Sequence, residues 1–289
     1  MPAYTTLIQA SELAALLPDA RKPDPDLVIL DCRHDLARPD WGDTAYAQAH
    51  IPAAMQAHLD RDLSGPITAT SGRHPLPDPH LLASKFGAWG IDSTVQVVAY
   101  DQGNGAFAAR AWWLLRWLGH ANVAVLDGGF AAWQEAGLPV STERPGRAPR
   151  TFVPQPDSAA TLSAADVQQG LARGEIVLVD ARSADRFAGE NETIDPVAGH
   201  VPGASNHPFA RNVDARGRFL PAPALRELWE RTLAGREPTA VVSMCGSGVT
   251  ACHNLLALEI AGLPGARLYP GSWSEWIRDP ARPVARGQD

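Results

Sequence analysis

The sequence predicts an α/β protein of two tandem domains, each a mostly parallel sheet with helices on both faces. Three observations carry that expectation. Short β-branched runs alternate with helical stretches, the order that parallel sheets require. The chain repeats its own landmarks in one order. Its 289 residues exceed one average domain and suit two.

The repeat is read directly. "VILDCRHD" (Val28 to Asp35) returns as "VLVDARSAD" (Val177 to Asp185), and "AHIPAA" (Ala49 to Ala54) as "GHVPGA" (Gly199 to Ala204). "VVAYDQGNGAFAARAWWLLRWLG", from Val97, answers to "VVSMCGSGVTACHNLLALEIAGL", from Val241. "LDGGFAAW" (Leu126 to Trp133) answers to "YPGSWSEW" (Tyr269 to Trp276). The spacing is nearly constant, so the repeating unit has about 140 residues. The expected organisation is an N-terminal domain over 1–142, a linker over 143–158 and a C-terminal domain over 159–289. The linker "STERPGRAPRTFVPQPDS" lacks periodicity and is rich in Pro and polar residues.

Element by element, "LVIL", "VQVVAY", "IVLVD" and "AVVSM" read as strands buried on both faces. "SELAALL", "AFAARAWWLLRWLG", "SAADVQQGLA" and "VTACHNLLALEIAGL" read as helices. A serine stands ready as N-cap in "TTLIQASEL" (Ser11) and in "TLSAAD" (Ser163). Ligands of such folds bind beyond the carboxyl ends of the strands.

Composition excludes several classes. The formal net charge of -7, without Lys/Arg runs, argues against nucleic-acid binding. No apolar stretch of about 18 residues offers a membrane span. The N-terminus lacks a basic region followed by a long apolar core, so a cytoplasmic location is expected. Three cysteines, Cys32, Cys245 and Cys252, make neither a disulfide framework nor a CxxC zinc pattern, and no metal is expected.

Cys245 stands at the predicted strand–helix junction in "MCGSGVT". Gly246 and Gly248 permit tight or left-handed turns. Successive N–H groups there can form an anion nest, and the helix N-terminus adds partial positive charge. Such surroundings favour thiolate, the nucleophilic form. Asp101 takes the cysteine's place in the first half, so that half is expected to be non-catalytic. Cys32 and Cys252 are expected to be structural. His50 and His200 recur in both halves and are expected to serve a turn. Arg33 and Arg182 recur likewise and are assigned to the fold.

With these residues in view, the whole chain resembles the two-domain rhodanese-type sulfurtransferases. The loop "CGSGVTAC", Cys245 to Cys252, is similar to that of the 3-mercaptopyruvate sulfurtransferases, and "GHVPGA", "GSWSEW", "HIPAA" and "LDGGFAAW" match the family as well. The resemblance implies two rhodanese-like domains and a Cys245 persulfide passed to a thiol, cyanide or a thioredoxin-like acceptor. No cofactor, nucleic-acid partner or membrane partner is expected, and a monomer is expected. It also implies a relay of Asp60, His74 and Ser247 built across the domains, with Arg186 as the carboxylate anchor. Gly246, Gly248, Val249 and Thr250 would supply backbone to the substrate. Trp273 or Trp276 would wall the site.

Cell-cycle phosphatases share this fold, but they need an Arg six residues after the cysteine, and here that position is Ala251. Thiosulfate as donor, alone or with 3-mercaptopyruvate, is the alternative. A persulfide relay without small-donor turnover is a third reading. Two departures from the family stand out. "ENETIDPVAGH", Glu190 to His200, carries no Arg where a second one is usual, and Pro270 replaces the usual Asp.

Overall fold

The computed structural model describes residues 3–17 and 26–287. The outer bounds 1 and 289 of the expected domains lie outside them. The chain forms two compact units. The N-terminal unit comprises Met1–Gly65, Pro77–Asp157 and Ala215–Phe219; the C-terminal unit comprises Pro66–Leu76, Ser158–Asp214 and Leu220–Asp289.

In the N-terminal unit the strands are β1 (Leu7–Ile8), β2 (Leu27–Asp31), β3 (Ala54–Gln56), β4 (Gln96–Tyr100) and β5 (Val123–Leu126). They pair in parallel in the order β1-β5-β4-β2-β3. Helices α1 (Ala10–Ala15), α2 (Trp41–Gln48), α3 (Leu59–Asp62), α4 (Pro79–Ala88), α5 (Ala108–Trp117) and α6 (Gly129–Glu135) connect them. In the C-terminal unit the strands are β6 (Val177–Asp180), β7 (Ser205–Asn206), β8 (Val241–Met244) and β9 (Arg267–Leu268). Their order is β7-β6-β8-β9, again parallel. A parallel bridge from Thr161 to Leu268 stands where β1 stands in the first unit. The helices are α7 (Ala164–Arg173), α8 (Ala184–Ala188), α9 (Ala222–Leu233), α10 (Thr250–Ile260) and α11 (Ser272–Trp276). The duplicated sequence therefore builds a duplicated topology.

Every residue of β2, β4, β5 and β8 is buried, as near-continuous apolar runs of a covered parallel sheet require. Leu13, Ile29, Val98, Ala124 and Trp133 pack together in the N-terminal core; Val167, Leu178, Val242, Trp273 and Trp276 do so in the C-terminal one. Each Val, Leu or Ile among them contributes about 1.5–3 kcal/mol by leaving water.

The recurring charged and imidazole residues serve the fold, as expected. Arg33 grips Asp31 and the Ala49 carbonyl, and Arg182 grips Asp180 and the Gly199 carbonyl. Each arginine ties the end of a central strand to the following turn. His50 bonds the Tyr46 carbonyl and stacks on the Tyr46 ring, while His200 bonds the Phe187 carbonyl and stacks on Phe187.

One expected cap is corrected. Ser163 caps α7, its hydroxyl accepting the Asp166 N–H while Asp166 accepts the Ser163 N–H. Ser11, by contrast, lies inside α1, whose N-cap is Gln9. The Gln9 N–H donates to the carboxylate of Glu12 at 2.8 Å, so the acid three residues on marks a start two residues earlier than Ser11.

Candidate active site

The loop between β8 and α10 is built around Cys245. The thiol is 2% exposed. Its sulfur accepts the Ser247 N–H at 3.4 Å and the Gly248 N–H at 3.1 Å. Gly248 has φ +80°, and a Cβ there would meet the Pro270 carbonyl oxygen at 2.3 Å. Only glycine fits. The "GSWSEW" segment clamps the loop from outside. Cys245 N–H donates to Ser272 Oγ, the Cys245 carbonyl accepts the Trp273 N–H, and the Gly246 carbonyl accepts the Ser274 N–H. Ser272 holds a left-handed backbone, φ 54°, and its hydroxyl also donates to the Tyr269 carbonyl. Such a conformation costs about 1–2 kcal/mol for an L-residue. The two side-chain bonds hold it in place.

The first unit shows what this loop geometry binds. Asp101 is fully buried at the carboxyl end of β4. Its carboxylate accepts N–H groups from Gly103, Gly105, Phe107 and Ala108 at 2.8–3.2 Å. Burial pushes its carboxyl above the ordinary range although those amides pull it down. The nest that would seat an outside anion is filled by the chain's own carboxylate. In the second unit a thiol replaces that carboxylate at the start of α10, whose first-turn amides have no partner within the helix.

Beside the thiol, His74 Nδ1 lies 2.7 Å from Ser247 Oγ, and both residues are 6% exposed. His74 belongs to Pro66–Leu76, a stretch from the first half of the sequence that is part of the C-terminal unit. Asp60 is placed on α3 in the N-terminal unit, where its N–H donates to His58 Nδ1. Ligand atoms of Asp60, His34 and His58 lie within 4.8 Å of one another. His58 is engaged on both ring nitrogens, accepting the Asp60 and Arg61 amides on one and meeting the Pro39 carbonyl with the other. It thus serves as the N-cap of α3.

Two guanidinium groups border the loop. A Cβ on Gly246 would come within 2.8 Å of Arg73 Nη2 and 3.6 Å of Arg186 Nη2. The bare glycine makes room for both. Arg186, on α8, makes a two-pronged pair with Glu192 at 2.9–3.2 Å and reaches Asp195 at 3.3 Å. Arg73 pairs with Asp195, and its N–H donates to Ser274 Oγ. Glu192 also meets Arg182 and accepts the amides of Ile194 and Asp195. Burial raises the Glu192 carboxyl, but Arg186 and the two amides leave it below the ordinary range. Burial lifts Asp195 above the ordinary range against the pull of Arg73.

Arg73, Asp195 and Ser272 were not among the expected site residues. Arg73 adjoins His74 in "GRHPLP", which was a usable signal. Ser272 replaces the repeat's Gly129, itself at φ +54°, a second signal. The Glu192–Asp195 pairing gave none. Pro270 also becomes intelligible. Its counterpart Asp127 accepts the Phe219 N–H and a bond from Gln9, both within the N-terminal unit, while Pro270 presents its carbonyl to Gly248. Cys252 is fully buried with its thiol on the Gly248 carbonyl. Cys32 is buried, and burial together with Asp31 pushes its thiol well up. Trp273 and Trp276 are buried in the C-terminal core, and Trp273 stacks beneath Arg182.

A thiol in an amide nest at a strand–helix junction, flanked by guanidinium groups, defines a class of proteins that use a cysteine against anionic substrates. The model of the rhodanese-like domain matches residues 9–136 and 163–279. A Pseudomonas aeruginosa protein named as a probable 3-mercaptopyruvate sulfurtransferase is 52% identical over 283 residues, spanning 97% of this chain and 98% of its own. A Mycobacterium tuberculosis protein with the provisional name thiosulfate sulfurtransferase SseB is 41% identical, spanning 97% of both. Among solved structures, Escherichia coli SseA, described with the 3-mercaptopyruvate sulfotransferases, superposes with a TM-score of 0.80 at 30% identity over 94% of this chain and all of its own. The chain belongs to the two-domain rhodanese-type sulfurtransferases. No helix among the described residues is long and apolar enough to cross a membrane.

Proposed function

We propose that the protein moves sulfur from 3-mercaptopyruvate to Cys245, and from there to a thiol, cyanide or a thioredoxin-like acceptor. The observation that carries this reading is the His74–Ser247 contact at 2.7 Å, directly beside the Cys245 loop. The Cys245 thiolate attacks the donor sulfur, an S–S bond forms and the C–S bond breaks. The electron pair of that bond passes to the enolate of pyruvate. The proton of the donor thiol ends on that carbon, and the persulfide remains on the enzyme. A hydroxyl held by an imidazole is the group needed to move that proton. Amides from Gly246 to Thr250 receive the developing negative charge. Arg186 and Arg73 hold the donor's carboxylate. An acceptor such as cyanide then takes the outer sulfur and returns the thiolate.

Thiosulfate is the second reading, favoured by the name of the 41% identical relative and by two guanidinium groups at the loop. Steady-state transfer with both donors on wild type, Cys245→Ser and Ser247→Ala separates them. Cys245→Ser is expected to abolish transfer from either donor. Ser247→Ala is expected to lower turnover of 3-mercaptopyruvate about 10²-fold or more and to spare thiosulfate. Equal or better use of thiosulfate by the wild type would overturn the donor assignment, and an active Cys245→Ser would overturn the mechanism.

A further inference from the structure

The segment that lacks the usual arginine supplies acids instead. Glu192 and Asp195 are 1% and 3% exposed in their side chains, and both face the arginines of the loop. The charged cluster consists of Arg73, Arg182 and Arg186 against Asp180, Glu192 and Asp195. Each guanidinium has a carboxylate, and the six formal charges cancel. Arg73 and Arg186 can therefore offer a donor's carboxylate hydrogen bonds but no net charge, and the remaining attraction comes from the loop amides and the start of α10, a partial charge only. Asp195 is the member placed to matter most. It joins Arg73 to Arg186, the two guanidinium groups that border Gly246.

We propose that Asp195 is a specificity residue that acts through Arg73 and Arg186: its charge tunes the loop to donors carrying one negative charge and against those carrying two. 3-Mercaptopyruvate brings one carboxylate. Thiosulfate brings two charges, and every guanidinium of the cluster is already matched. Removing the Asp195 charge without changing its shape leaves one guanidinium for the second negative charge. This rests on the reading of Cys245 as the nucleophile for 3-mercaptopyruvate.

Donor kinetics, together with inhibition by sulfate as an unreactive dianion, test it on wild type, Asp195→Asn and Asp195→Glu. In Asp195→Asn the ratio of kcat/KM for thiosulfate over 3-mercaptopyruvate is expected to rise about tenfold, the equivalent of ~1.4 kcal/mol. The change should lie mainly in KM, with sulfate inhibiting at about tenfold lower concentration. Asp195→Glu keeps the charge and should keep the wild-type ratio. Arg73→Gln should move sulfate inhibition the opposite way, which preserves the test should Asp195→Asn fold poorly. A ratio within about twofold of wild type, or parallel loss with both donors at unchanged sulfate inhibition, would overturn the proposal and leave Asp195 a packing role. A wild type that prefers thiosulfate would instead overturn the donor reading, and the sulfate comparison would still decide the part played by Asp195.

Discussion

Cys245 and Asp101 occupy equivalent places and differ in what fills the amide nest. Asp101 satisfies four N–H groups with its own carboxylate and leaves no seat for an outside anion. Cys245 accepts two N–H groups on a sulfur that can also bond a substrate atom. Cys245→Asp should therefore reproduce the filled nest of the first unit. Transfer is expected to fall to background with every donor, while the urea midpoint stays at or above that of wild type. A loss of more than about 2 kcal/mol would show that the second loop cannot accept a carboxylate as the first does. Ser272 illustrates a different residue-scale effect. A strained backbone is retained because its hydroxyl holds the Cys245 amide, and strain of this kind gathers where geometry must be exact.

At the scale of elements, α9 and α10 are joined by a buried polar network around His207. Its ring stacks on Trp229 of α9 at 3.9 Å and bonds Thr232 and Asn212. Asn212 in turn bonds Asn254 of α10, which donates back to the His207 carbonyl. Burial lowers the His207 imidazole to about 4, with Arg211 adding to the fall. The native state thus binds fewer protons than the unfolded chain between that value and the ordinary ~6.5. Stability from this group is fully present above pH ~6.5 and is lost as pH falls toward 4, by up to about 3 kcal/mol. Replacing His207 with Gln should flatten that part of the profile. Chemical denaturation of both proteins at pH 7 and at pH 4.5 checks it, since the stability difference between the two should shrink at the lower pH.

For the whole molecule, the unit that holds Cys245 is not simply the C-terminal half of the sequence. It includes Pro66–Leu76, which carries Arg73 and His74. A chain shortened to residues 159–289 keeps Cys245 and its loop but lacks both side chains. It is expected to release no measurable pyruvate from 3-mercaptopyruvate, even where circular dichroism finds it folded. In the full-length protein, replacing Arg73 and His74 together with Ala should give the same result. Turnover near the wild-type rate in either protein would remove Arg73 and His74 from the mechanism.

The sequence by itself determined the duplicated α/β architecture, the buried strands and the cysteine loop with its two glycines. It also marked Asp101 as the residue in the cysteine's place in the first half, and Arg33 and Arg182 as fold residues. These features are legible because they are written in contiguous residues: a period of apolar side chains, a turn glycine, a motif met twice. The tertiary structure decided which charges meet. Arg73 and Asp195 stand 122 positions apart, and His74 and Ser247 stand 173 apart. No local pattern encodes such meetings, because they follow from the path of the chain between its two units. The α1 cap went astray on a smaller version of the same problem: Ser11 suits an N-cap by residue type, but the backbone places the cap at Gln9, two residues earlier. Charge balance at the Cys245 loop, on which donor preference is proposed to turn, is a property of folded neighbours. Coulomb attraction depends on distance in space, and the sequence records only distance along the chain.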